Sequence, residues 1–221
     1  MIPRCPVPSC SAAKRGRVWF PTLLSIVWLA SAAAGMGIFW KVENVPGTQL
    51  AVPAMWPAGS GIARTPGLAT VVMFAHPKCP CTRASVEELA RAMAQCEGRA
   101  RVYVMFYTPD GAPADWMQSD TWRNAAAIPG VETQHDRNGE EAARFGATTS
   151  GFVVLYDAAG RLGFSGGITS ERGHAGDNDG EAAIIALANG KQADRATMPT
   201  LGCSIFGSDK DFSVKGAVCR R

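Results

Sequence analysis

Apolar and polar positions along this chain change period several times, and each change marks an element. Positions 18 to 40, VWFPTLLSIVWLASAAAGMGIFW, contain no charged residue. That length matches the roughly 20 apolar residues a helix needs to cross a bilayer. From 41 to 67, KVENVPGTQLAVPAMWPAGSGIARTPG is loaded with proline and glycine and keeps no period, so it reads as a linker. LATVVMFA at 68–75 is a short apolar run with adjacent valines, the pattern of a strand buried on both faces. Beyond it, Val86, Leu89, Ala90 and Met93 recur at three- and four-residue spacing, which predicts an amphipathic helix ending near Gly98.

RVYVMFY at 101–107 predicts a second buried strand. A helix is expected over 114–127, a short strand at VETQHD and a short helix at NGEEAARFG. GFVVLYD, the turn AAG and RLGFSGG predict a β-hairpin, and DGEAAIIALANG a closing helix with Asp177 or Asp179 as its cap. Strands that alternate with helices and then close in a hairpin predict an α/β fold with a central mixed sheet over 68–190. Around that domain stand an arm at 1–17, the apolar segment at 18–40, the linker at 41–67 and a C-terminal extension at 191–221.

The chain's 221 residues and 47% hydrophobic content suit one folded domain with appendages. Its net charge of +3 includes four positive charges, Arg4, Lys14, Arg15 and Arg17, placed before the first acid; removing them leaves −1 for the remainder. A nucleic-acid footprint is therefore not expected. The basic arm beside an apolar span, with Trp19 and Trp40 near its ends, predicts a single-pass anchor with the arm in the cytoplasm. A cleaved signal is the rival reading, since LASA at 29–32 offers small residues at A-x-A spacing. Either reading exports residues 41 onward, which for a bacterial inner-membrane protein means the periplasm or beyond.

Candidate chemistry concentrates in HPKCPCTR, where Cys79 and Cys81 flank Pro80 between a buried strand and the start of a helix. Cysteine reacts as the thiolate, and unpaired N–H groups at a helix start stabilise that charge. Cys79 is placed for this, with Lys78, Arg83 and the hydroxyl of Thr82 as supports. Cys81 is the adjacent resolving thiol, although a C-x-C disulfide closes a small ring that Pro80 stiffens. Cys203 is a second candidate partner for Cys79. It equally suits a structural disulfide with Cys219 across about 15 residues, a staple of about 3 kcal/mol. Cys96 is expected to pack inward from its helix, and Cys5 and Cys10 to play no concerted role. A metal reading uses His76, Cys79 and Cys81, because thiolates with an imidazole suit Cu(I) or Zn(II). Between hairpin and last helix, Arg172 or His174 is a candidate partner for the cysteines. Spacings typical of nucleotide loops, zinc proteases and serine hydrolases do not occur.

VVMFAHPKCPCTRASVEEL resembles the thioredoxin-family segment in which a strand enters a C-x-x-C turn and a helix leaves it. FGATTSGFVVLYDAAGRLGFSGG is similar to that family's later hairpin. A closer similarity is to the thioredoxin-like proteins called RedB, which share H-P-x-C-P-C-T-R, a T-S-G before the late strand, and S-G-G-I-T with R-G-H-x-G-D-N. Two departures stand out: Thr82 holds the position of the usual second cysteine, and Gly151 after Ser150 holds that of the cis-proline. The resemblance implies a thioredoxin-like fold and thiol-disulfide exchange with protein thiols or disulfides outside the cytoplasm, through Cys79 and Cys81, without a cofactor. The C-x-x-T turn also resembles the reactive turn of glutathione peroxidases, and a copper-binding or copper-delivery module is the non-enzymatic alternative.

Overall fold

The computed structural model describes residues 19–96 and 98–206. Helix α1 (Trp19–Glu43) is apolar from Trp19 to Trp40 and carries its first charge at Lys41. At 1.5 Å per residue it is about 37 Å long, enough for a hydrocarbon core of about 30 Å. By length and composition it can serve as a membrane anchor or as a signal. The arm at 1–17, with Cys5 and Cys10, lies outside the described residues, as does Cys219.

A second compact body begins at Glu43. In chain order it contains β1 (Ala69–Ala75), α2 (Thr82–Cys96), β2 (Ala100–Thr108), α3 (Asp120–Ala126), β3 (Val131–Arg137), α4 (Glu140–Arg144), β4 (Phe152–Tyr156), β5 (Leu162–Gly166) and α5 (Asp179–Ala188). The five strands form one mixed sheet in the order β3-β2-β1-β4-β5, with β1, β2 and β3 parallel and β4 and β5 antiparallel to their neighbours. This is the thioredoxin-like arrangement the sequence pointed to. β1 lies at the centre of the sheet, with β2 on one side and β4 on the other. The segment leaving its carboxyl end sits where the strand order diverges, a crevice that open α/β sheets use for ligands.

β1 reads as an unbroken apolar run because both of its faces are covered. Val71, Met73 and Ala75 face one core with Val86 and Leu89 of α2, Val104, Leu155 and Ile184 of α5. Val72 and Phe74 face a second core built from Met105, Phe145, Val154 and Tyr156. Leu89 is fully buried, so truncating it to alanine is expected to cost about 2–5 kcal/mol.

The structure refines three expectations. The segment 41–67, expected as a linker, is mostly exposed but is pinned to the second compact body by single residues, with Ile62 buried and Trp56 half-buried. Trp56 sets its ring edge-on against Phe145 at 5.0 Å and Tyr156 at 5.2 Å, and the Leu162 N–H donates to Ala54 at 2.9 Å. Such irregular chain buries single residues without a period, which is why the pattern hid it. The helix expected over 114–127 begins only at Asp120, because the Ser119 hydroxyl accepts from the Trp122 N–H at 3.1 Å and caps it. Pro113–Gln118 instead forms tight turns, with the Trp116 N–H donating to Pro113 at 2.8 Å. The cap of α5 is Asn178 rather than Asp177 or Asp179, its side-chain oxygen accepting from the Glu181 N–H at 2.8 Å.

Candidate active site

The turn after β1 is closed by its own backbone. The Cys79 N–H donates to His76 at 3.0 Å, and the Thr82 N–H to Cys79 at 3.3 Å, which delivers Cys79 to the start of α2. Cys79 is only 3% exposed, while Cys81 is half-buried. Both are free thiols, as are Cys96 and Cys203.

Cys203 arrives from the far end of the described chain. A strap at 202–205 lies along residues 148–150: the Ser150 N–H donates to Cys203 at 2.8 Å and the Ile205 N–H to Thr148 at 2.9 Å. Thr149 and Ser204 form an antiparallel bridge. Gly202 is required there, because an added Cβ would collide with the Ser150 carbonyl. Arg172 clamps the strap from outside, its guanidinium donating to the Gly202 carbonyl at 2.6 Å and the Val45 carbonyl at 3.2 Å. The result is a cluster in which the sulfurs of Cys79, Cys81 and Cys203 all lie within 4.8 Å of one another.

These surroundings set the three thiols apart. Burial works against the Cys79 thiolate, but hydrogen bonds from the Cys203 thiol, the Thr82 hydroxyl and the N–H groups of Cys203 and Thr82 outweigh it and hold this thiol below its ordinary value. Burial raises Cys81, Cys79 raises it further, and Arg172 offsets part of the effect. Cys203 is pushed up to about 12, first by burial and then by its hydrogen bond to Cys79 and the charge of its neighbours. One sulfur is thus tuned to carry the charge while a second remains a proton donor beside it.

Behind Cys79 runs a short hydroxyl relay. The His76 N–H donates to Ser150 Oγ at 2.7 Å, and Ser150 Oγ lies 2.6 Å from Thr82 Oγ1. With the Thr82 proton committed to sulfur, Ser150 is the donor of that pair, so each member polarises the next. Ser150 is 1% exposed and Thr82 fully buried. Gly151, where the thioredoxin pattern has its proline, has φ 90 and donates its N–H to Phe74 at 2.8 Å. A side chain there would press on Ser85 of α2.

The structure brings Cys79, Cys81, Thr82 and Cys203 together and leaves other candidates outside. His76 does not join the sulfur group. Its ring stacks on Tyr107 at 5.8 Å and meets Trp116 edge-on at 5.5 Å, and its Nδ1 accepts from the Lys78 N–H. Lys78 turns its ammonium over the Trp116 ring, 4.3 Å from the centroid, and Arg83 is exposed on the first turn of α2. The groups that hydrogen-bond to the Cys79 sulfur belong to Thr82 and Cys203. Of the loop pair, Arg172 reaches the cluster, whereas the His174 side chain is 75% exposed and faces Glu171. Cys96 is 1% exposed at the end of α2, packed inward as expected. Ser150 and Gly202 carried no chemical signal of their own in the sequence; only the T-S-G of the RedB resemblance touched the first.

No family model and no curated protein matches this chain. Among solved structures, a hypothetical protein from Sinorhizobium meliloti is 23% identical with a TM-score of 0.54, the match covering 73% of this chain and 93% of that one. An uncharacterized conserved protein from Geobacillus kaustophilus is 18% identical with a TM-score of 0.52, covering 74% and 93%. A secreted Mycobacterium tuberculosis disulfide oxidoreductase homologous to E. coli DsbE is 17% identical with a TM-score of 0.41, covering 57% and 83%. The first two likenesses show a shared fold.

Proposed function

We propose that this chain is a RedB-type thiol-disulfide oxidoreductase. It is anchored in a bacterial inner membrane through 18–40 and acts on protein thiols or disulfides outside the cytoplasm. The observation that carries the reading is the buried Cys79 sulfur, served by four hydrogen-bond donors and flanked by two further thiols within 4.8 Å. A thiolate so placed is a nucleophile with its resolving partner at hand.

In the reducing direction, the Cys79 thiolate attacks one sulfur of a substrate disulfide. The new bond joins Cys79 to that sulfur, the substrate S–S bond breaks, and the leaving sulfur departs as a thiolate and takes up a proton. Cys81 or Cys203, on losing its proton, then attacks Cys79. The mixed disulfide breaks, the second substrate thiol leaves, and the chain retains an internal disulfide. Two electrons have passed to the substrate, and the same steps run backward for oxidation. Once Cys79 is tied up in the mixed disulfide its charge no longer opposes ionisation of its neighbours, which readies either one to resolve.

The test is disulfide exchange by the full-length chain in detergent, using a disulfide-bonded test protein and a glutathione couple. Wild type is expected to catalyse exchange and Cys79→Ser to abolish it; exchange that survives in Cys79→Ser overturns the reading. The peroxidase alternative draws on the bond from Thr82 to Cys79. It predicts rapid peroxide consumption by the same protein. Copper delivery through His76, Cys79 and Cys81 is the weaker reading, because His76 lies outside the group of three sulfurs.

A further inference from the structure

We propose that Cys79, Cys81 and Cys203, when all three are reduced, bind one Cu(I) ion in a three-sulfur site. This goes beyond thiol exchange and does not depend on it. Two of the sulfurs come from the turn before α2, and the third is supplied from more than a hundred residues away by the strap that Ser150, Thr148 and Arg172 hold in place. The strap thereby completes a cluster that the C-x-C turn alone does not contain.

Geometry favours a trigonal ion. Metal–sulfur bonds of about 2.3 Å place three sulfurs about 4 Å apart around a trigonal centre, so a group already within 4.8 Å needs only a small closure. Ligand number and type select among metals. Zinc in a closed site takes four ligands, and among the described residues no further His, Cys, Asp or Glu joins these three. Calcium and magnesium require oxygen ligands that are missing from the group. Thiolates alone are soft donors and suit Cu(I).

Charge is accommodated locally. Three thiolates around Cu(I) carry a formal charge of −2, toward which the Arg172 guanidinium is positioned at Cys81. The N–H groups of Thr82 and Cys203 already point at Cys79. Burial on the Cys79 side shields the ion from water, while the half-buried Cys81 and Cys203 leave a side for entry. Binding moves no electrons: Cu(I) replaces the thiol protons, which pass to solvent. A disulfide between any two of the three sulfurs removes two ligands, so occupancy is confined to the reduced chain.

The experiment uses full-length protein in detergent, reduced and kept anaerobic, with Cu(I) as the probe against a chromophoric Cu(I) chelator. One ion per chain is expected, with an X-ray absorption shell of sulfur alone. Cys203→Ser is expected to weaken binding by at least the roughly 10- to 100-fold that accompanies loss of even an outer-sphere partner. His76→Ala should leave affinity within about threefold. A nitrogen in the copper shell, a stoichiometry far below one, or unchanged affinity in Cys203→Ser overturns the site. The wild-type absorption shell decides the matter even if a variant misfolds. Metal-free exchange, measured in parallel, separates a failure of this site from a failure of the exchange reading.

Discussion

Replacing Thr82 by valine isolates the hydroxyl that serves Cys79. The branched shape is kept in a fully buried position, and only the donor to sulfur is lost, together with its bond to Ser150 Oγ at 2.6 Å. A hydrogen bond to a charged acceptor is worth about 1.5–3 kcal/mol, which lowers the thiolate fraction at a pH below the titration midpoint by roughly tenfold to a hundredfold. The other three donors remain, so reactivity should move to higher pH and persist. The assay is the rate of Cys79 alkylation by iodoacetamide against pH, read by peptide mass spectrometry. Stability follows the same sign. The Cys79 thiol is held below its ordinary value, so its contribution is present above the unfolded cysteine value of about 8.5 and is lost as pH falls through the folded value. The stability gap between wild type and Thr82→Val should therefore widen toward alkaline pH, on top of a pH-independent loss from the orphaned Ser150 hydroxyl. An alkylation profile identical to wild type would refute the donor arrangement.

Glu181 is 7% exposed, and its carboxyl is pushed up to about 7, first by burial and then by the hydrogen bond and charge of Glu88. Its contribution to stability is fully present below the unfolded value of about 4.3 and is lost as pH rises through 7. Thermal melts of Glu181→Gln should accordingly fall less than wild type between pH 5 and pH 8. Asp136 is 2% exposed and accepts from the N–H groups of Glu141 and Ala142 at 2.9 Å each, so Asp136→Ala should cost about 1–3 kcal/mol in urea unfolding. A reporter fused after residue 67 should be active only outside the cytoplasm and resist alkaline extraction; a mature N-terminus at Ala33 would instead establish a cleaved signal.

Elements whose faces are set by a strong period were legible in the sequence. β1 could be read because Val71 through Phe74 are covered on both sides, and α2 because Val86, Leu89 and Met93 mark one stripe. Segments positioned by single contacts were not. Trp56 fills the second core from chain without regular structure, and Ser119 starts α3 at a point that the flanking apolar residues blur. The same division runs through the site. Cys79, Cys81 and Thr82 are neighbours in sequence, so their chemistry could be argued from a turn and a helix start. Cys203 joins them only through backbone pairing with 148–150, and Ser150 acts through a hydroxyl whose partners are fixed by the fold. His76 shows the reverse case. Spacing offered it as an alternative metal ligand, whereas in the fold its ring packs against Tyr107 and Trp116 and lies outside the sulfur group.

The central claim is that Cys79 is the sulfur through which this chain meets its substrates. Its most direct test is to express the Cys81→Ser, Cys203→Ser double variant, trap free thiols by acid quenching, and map disulfide-linked peptides by mass spectrometry without reduction. The account predicts mixed disulfides to other proteins through Cys79, absent when Cys79→Ser is added. Partners linked to Cys81 or Cys203 in chains retaining those residues, with Cys79 free throughout, would contradict it.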